Sequence, residues 1–90
     1  MNSTQKQTLK RLAHHLKPVI LVGAKGFSEA LVKETDAALQ THELIKVKLA
    51  GLEKDEKMPF IELLCTHTQA ELVQLLGHIA LIYRKKREKK

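Results

Sequence analysis

The residues best suited to chemistry in this 90-residue chain are Gly23-Ala24-Lys25-Gly26. Two glycines remove the Cβ atoms that would hold a ligand off the backbone, so main-chain amides can approach an extended anion closely. Lys25 adds a mobile ammonium at the tip of the loop. A helix that begins directly behind such a loop contributes unpaired amides and the positive end of its dipole. Lys6, Lys10, His14 and Lys17 follow one another at spacings of four, four and three, which puts them on one stripe of a helix. Arg84 opens a basic C-terminal run. These groups suit the binding of a polyanion, and none of them is a nucleophile backed by a base.

Other chemistries are disfavoured. Gly26 is followed by Phe27 rather than Lys-Ser or Lys-Thr, so the loop is not the phosphate loop of nucleotide hydrolases. It also lacks the Gly-x-Gly start of the dinucleotide fingerprint. No small-molecule cofactor is therefore expected. The single cysteine, Cys65, allows no internal disulfide and supplies too few thiolates for a cysteine-based metal site. Next to Leu63 and Leu64 it is expected to be buried and inert. The histidines do not converge on a metal: His14 and His15 are adjacent and point apart on a helix, His67 is two residues from Cys65, and His78 falls in a turn. No Ser-His-Asp arrangement or close carboxylate pair stands out, and Glu53, Asp55 and Glu56 read as a solvated charged loop. The expectation is a binding protein and not an enzyme.

Length and composition fit one domain with a packed core: 43% of residues are hydrophobic and 29% charged. The aromatic residues are Phe27, Phe60 and Tyr83, so the core must be aliphatic. No apolar run approaches the length of a bilayer span, and no membrane association is expected. One cysteine and no recognisable secretory signal fit a reducing cytoplasm. The net charge of +6 is polarised along the chain: residues 1–28 carry +5, residues 29–83 carry −4, and residues 84–90 carry +5. Such asymmetry is a common footprint of a polyanionic partner, and on charge alone it equally fits a solubility device with a basic tail. The acid-free first 28 residues would superficially suit a transit peptide. Pro18 and the strand and loop that follow make this segment part of the fold instead.

The elements that must position these residues follow from spacing. Thr4 and Gln7 fit a capping box. Leu9, Leu12, Ala13 and Leu16 form the apolar face of a first helix that Pro18 ends at Lys17. Val19-Ile20-Leu21-Val22 reads as a strand buried on both faces. After the glycine loop, Ser28 caps a second helix and Phe27 can staple onto Val32. Leu31, Val32, Thr35, Ala38 and Leu39 supply that helix with a buried stripe. Residues 44–49 alternate, with Ile45, Val47 and Leu49 inward and Lys46 and Lys48 exposed. Those two lysines either contact the polyanion or protect an exposed sheet edge. Residues 51–57 read as a polar connection. Phe60, Leu63, Leu64 and His67 form a third helical face, with Pro59 in its first turn. Residues 70–76 and 79–84, separated by Gly77-His78, read as a hairpin, with one long helix over 70–83 as the rival; Gly77 and the β-branched Val73, Ile79 and Ile82 favour strands. The expected class is α/β (α+β) in the order α-β-α-β-α-β-β, with helices covering much of the sheet.

Leu16-Lys17-Pro18, Gly23-Ala24-Lys25-Gly26-Phe27, His42-Glu43-Leu44-Ile45-Lys46-Val47-Lys48, Val73-Gln74-Leu75-Leu76-Gly77 and Leu81-Ile82-Tyr83-Arg84 closely resemble the CRM domain (chloroplast RNA splicing and ribosome maturation). The chain looks like the stand-alone bacterial members over about residues 3–84, with Phe27 where a Leu is more usual. The resemblance implies a four-stranded mixed sheet with helices, similar to the C-terminal domain of translation initiation factor three. It implies RNA binding through Gly23, Ala24, Lys25 and Gly26 and the neighbouring basic surface, and association with precursors of the large ribosomal subunit. The expected assignment is a domain over residues 1–84 and a basic tail over 85–90. Its partner would be large-subunit ribosomal RNA or a pre-ribosomal particle, bound as a monomer. Lys6, Lys10, His14, Lys17 and Arg84 would join the loop in phosphate contacts. The alternative is a protein-interaction adaptor on the ribosome whose charge only assists docking.

Overall fold

The computed structural model describes residues 2–23 and 26–86. Seven elements follow one another: α1 (Ser3–Ala13), β1 (Pro18–Leu21), α2 (Glu29–His42), β2 (Leu44–Lys48), α3 (Lys54–Thr68), β3 (Glu71–Leu76) and β4 (Ile79–Tyr83). This is the order read from the sequence. The strands form one four-stranded mixed sheet in the order β1-β2-β4-β3. β1 runs parallel to β2, and the other two pairings are antiparallel. A parallel pair needs a crossover, which α2 provides. The β3–β4 pair needs only Gly77-His78, where Gly77 takes a φ of +59° that a side chain would resist.

The sheet is covered unequally. Ile20, Val22, Ile45, Val47, Leu49 and Ile82 pack with Leu31 and Leu39 of α2 and with Ile61 and Leu64 of α3 in the main core. On the other face a smaller cluster joins Ala13 to Leu44, Val73 and Leu81, with Leu9 and Tyr83 beside it. α1 therefore rests on the sheet along its Leu9–Ala13 line. The small Ala13 side chain sits among its buried sheet partners.

Several local expectations are corrected. The capping box of α1 is Asn2 with Gln5, not Thr4 with Gln7: the Gln5 amide donates to Asn2 Oδ1 at 2.8 Å, and the Asn2 amide donates to Gln5 Oε1 at 3.0 Å. Asn is as good a cap as any residue, and the same spacing recurs two positions earlier. The helix stops at Ala13, four residues short of Lys17, because the chain must turn onto the sheet. Bonds from His14 N to Arg11 O (3.2 Å) and Leu16 N to Ala13 O (2.9 Å) tighten that exit. Leu12 and Leu16 are exposed rather than buried. β1 is an edge strand open on the α1 side, not a strand buried on both faces, because α1 leans toward β2 and β3.

β2 is interior, so Lys46 and Lys48 protect no edge. α3 begins at Lys54, within the expected connection, and Pro59 lies in its second turn. Glu53 and Glu56 form its capping box rather than a merely solvated loop. The buried face is Lys57, Ile61, Leu64, Cys65 and Thr68, whereas Leu63 and His67 are exposed. Lys57 lays its stem inside and donates its ammonium to the Gly77 carbonyl at 3.2 Å.

Candidate nucleic-acid interface

The glycine loop leaves the sheet at the end of β1. Ser28 caps α2 as expected, its Oγ accepting from Leu31 N at 3.1 Å. Phe27 turns inward and meets Phe60 and His67 edge to face, with ring centroids 5.8 and 5.1 Å away. This inward anchor holds the loop against α3. Gly26 has a φ of +67°, and its N–H donates to Gly23 O at 3.1 Å. That amide is thus occupied within the turn, while Gly23 is exposed. Ala24 and Lys25 lie outside the described residues. A shallow depression beside the loop is lined by Leu21, Gly23, Gly26, Ser28 and Glu34.

The start of α2 is less anion-seeking than the sequence suggests. Ser28 Oγ already accepts one first-turn amide, and Glu29 puts a carboxylate in that turn. Glu34 adds a second carboxylate to the depression. Both weaken the dipole's pull on an external anion. Attraction there must come from lysines.

The lysines meet the loop across the open part of the sheet. On the α1 side, register pairs Leu21 with Lys48, Lys48 with Ile79, and Ile79 with Leu76 in one row. The next row holds Lys46, Leu81 and Gln74. Lys10 and His14 overhang these rows, and with Lys46, Gln74, Leu76 and Ile79 they line a groove. Lys17 shares a second hollow with Leu21 and Lys48. Lys10, His14 and Lys17 are exposed and Lys6 is half-buried further back on α1. The expected stripe is not one straight ridge: Lys17 lies beyond the end of α1, on the β1 side. Leu21 links that hollow to the depression beside the loop. Lys46 also has a structural duty, donating from Nζ to Leu16 O at 2.9 Å across the helix exit.

Arg84 is withdrawn from the expected set. It is only 7% exposed, and its guanidinium faces inward. Nη1 donates to Asp36 Oδ1 and to Thr68 O (2.8 Å), while Nη2 donates to Asp36 O (3.0 Å). The group ties the end of β4 to α2 and to the C-terminus of α3. Of the tail beyond it, residues 87–90 lie outside the described residues.

Burial, reinforced by Glu62, pushes the Cys65 thiol up to about 11, so it is a poor nucleophile near neutral pH. Among the described residues no group of His, Cys, Asp and Glu could hold a metal ion.

The geometry now meets the comparisons. The sequence matches the CRS1/YhbY (CRM) domain over residues 1–84. It is 44% identical to an RNA-binding protein of Haemophilus influenzae, covering all of this chain and 91% of that one. It is 44% identical to a protein of Pseudomonas aeruginosa named as a probable RNA-binding protein, covering 94% of this chain and 82% of the other. A solution structure of a hypothetical Staphylococcus aureus protein, described as a candidate RNA binder, superposes with a TM-score of 0.84 at 37% identity. That match covers all of this chain and 94% of the other. An extended match of this kind shows common descent and not only a common fold: the chain belongs to the CRS1/YhbY (CRM) domain family.

Proposed function

We propose that the chain is a non-catalytic RNA-binding protein that holds structured ribosomal RNA by its sugar-phosphate backbone, in precursors of the large subunit. The observation that carries this reading is the groove of Lys10, Lys46 and His14, whose sheet row runs from Ile79 through Lys48 to Leu21, beside Lys17 and next to Gly23 and Gly26. The names of the relatives support RNA as the polyanion. Lys25 and the exposed Gly23 backbone take a phosphate at the loop, and Lys10, His14, Lys17 and Lys48 take its neighbours. Phe27 and Phe60 are committed to one another and Tyr83 to the smaller core. Without an aromatic platform, recognition rests on backbone shape rather than base stacking.

The test is binding of the full chain to a protein-free fragment of large-subunit ribosomal RNA. Replacing Lys10 and Lys48 together by Ala should weaken binding by about tenfold or more at near-physiological salt and reduce the salt slope by about two. Binding only to intact particles, with none to the naked fragment, would favour the adaptor reading.

A further inference from the structure

α1 divides the open face of the sheet into two flanks of different chemistry. The flank toward the β3–β4 hairpin is the cationic groove described above. The flank toward β1 is aliphatic. Leu12 is 62% exposed, Leu16 38% and Val19 49%, and these three wall a second groove floored by Leu44 and Ile45. Leu21, 63% exposed, continues the strip along β1. The described residues form a contiguous run of unpartnered aliphatic side chains, which on a small protein marks an interaction surface.

The rim identifies the kind of partner. His15, Lys17 and His42 border the groove and no carboxylate lines it. Glu43, next to His42 in the chain, has one carboxylate oxygen on the Lys86 amide at 2.8 Å. The bond from Lys46 to the Leu16 carbonyl pins the groove wall from beneath, so the groove is preformed. A second copy of this chain carries the same net charge of +6 and would bring Lys17 of its own to the same carboxylate-free rim. The chain's own end, Lys85 to Lys90, has the same sign. RNA would find aliphatic walls where its bases need aromatic ones. β1 itself is a poor template for an added strand, since it is four residues long and starts with Pro18, which has no N–H. A helix with aliphatic residues at three- and four-residue spacing and flanking carboxylates satisfies both the walls and the rim.

We propose that the groove between α1 and β1 docks an acidic amphipathic helical segment of a partner protein, on the flank of α1 opposite the Lys10–Lys46 groove and meeting the RNA track at Lys17. The chain would then couple RNA to protein.

Random twelve-residue peptides displayed on phage and selected on the folded full chain test this. The Leu12→Gln/Leu16→Gln variant serves as the counter-target, and both positions are exposed enough for it to fold and lie outside the Lys17–Lys48 hollow. The expected result is enrichment of Leu or Ile at three- or four-residue spacing among Asp and Glu. The leading peptide, made synthetically, should shift the amide resonances of Leu12, Leu16, Val19 and His42, and bind the variant at least tenfold more weakly. The variant should keep its affinity for the ribosomal RNA fragment within about twofold. Failure to enrich peptides over the variant overturns the proposal. So does loss of RNA affinity in the variant, which would make the groove an RNA surface, or a concentration-dependent dimer that the variant abolishes.

Discussion

Gly23 and Gly26 differ in a way that makes the loop testable. A Cβ built on either meets nothing within 4 Å, but Gly26 has a φ of +67° and Gly23 is not among the positive-φ glycines. Gly26→Asp therefore carries a backbone cost of about 1–2 kcal/mol besides any effect on binding. Gly23→Asp should leave stability within about 0.5 kcal/mol and still place a negative charge where phosphate would lie. The expected outcome is an unchanged melting temperature for Gly23→Asp with at least tenfold weaker RNA binding. An unchanged affinity would remove the loop from the contact.

Cys65 gives an independent check on packing. Its thiol is raised from 9.0 to about 11, so at pH 8 it should carry roughly a hundredth of the thiolate of an unperturbed cysteine. Iodoacetamide should modify it correspondingly slowly until the chain is unfolded. The sign follows from the raised value: the protonated thiol favours the fold, and that contribution fades as pH climbs from about 9 through about 11.

At the scale of elements, Arg84 joins parts of the chain that sequence spacing cannot connect. Its carboxylate partner Asp36 is 48 residues away. Arg84→Ala should lower stability by about 2–3 kcal/mol, chiefly by stranding the carbonyls of Thr68 and Asp36, since the half-exposed Asp36 carboxylate can rehydrate. Thermal unfolding should shift down by about 10–20 °C. RNA affinity below that transition should stay within about twofold. A phosphate-contacting Arg84 would give the reverse pattern. Local signals made much of the fold legible: the Ser28 cap, the Leu31–Thr35–Leu39 stripe and the Gly77-His78 turn each act over a few residues. What escaped depended on distant partners. Lys57 reads as part of a polar connection because its acceptor is the Gly77 carbonyl, 20 residues on. The face of α3 was misphased because its start at Lys54 was hidden in a charged segment. The loop and the Lys10–His14 pair were visible in the sequence. Lys48 as the link between them was not, because only sheet register brings Leu21 and Lys48 together.

The whole molecule works as a sheet with a main core on one face and a divided surface on the other. α2 and α3 build most of the hydrophobic stability beneath the sheet. α1 covers part of the upper face with the smaller cluster and leaves its two flanks open. The net charge of +6 adds long-range steering toward any polyanion, and that steering weakens as salt screens it. Titrating the full chain with a large-subunit ribosomal RNA fragment from about 50 to 200 mM salt tests the central claim most directly. With about five to eight phosphates neutralised, affinity should fall by roughly two to four orders of magnitude. An affinity nearly independent of salt would contradict a backbone grip by lysines.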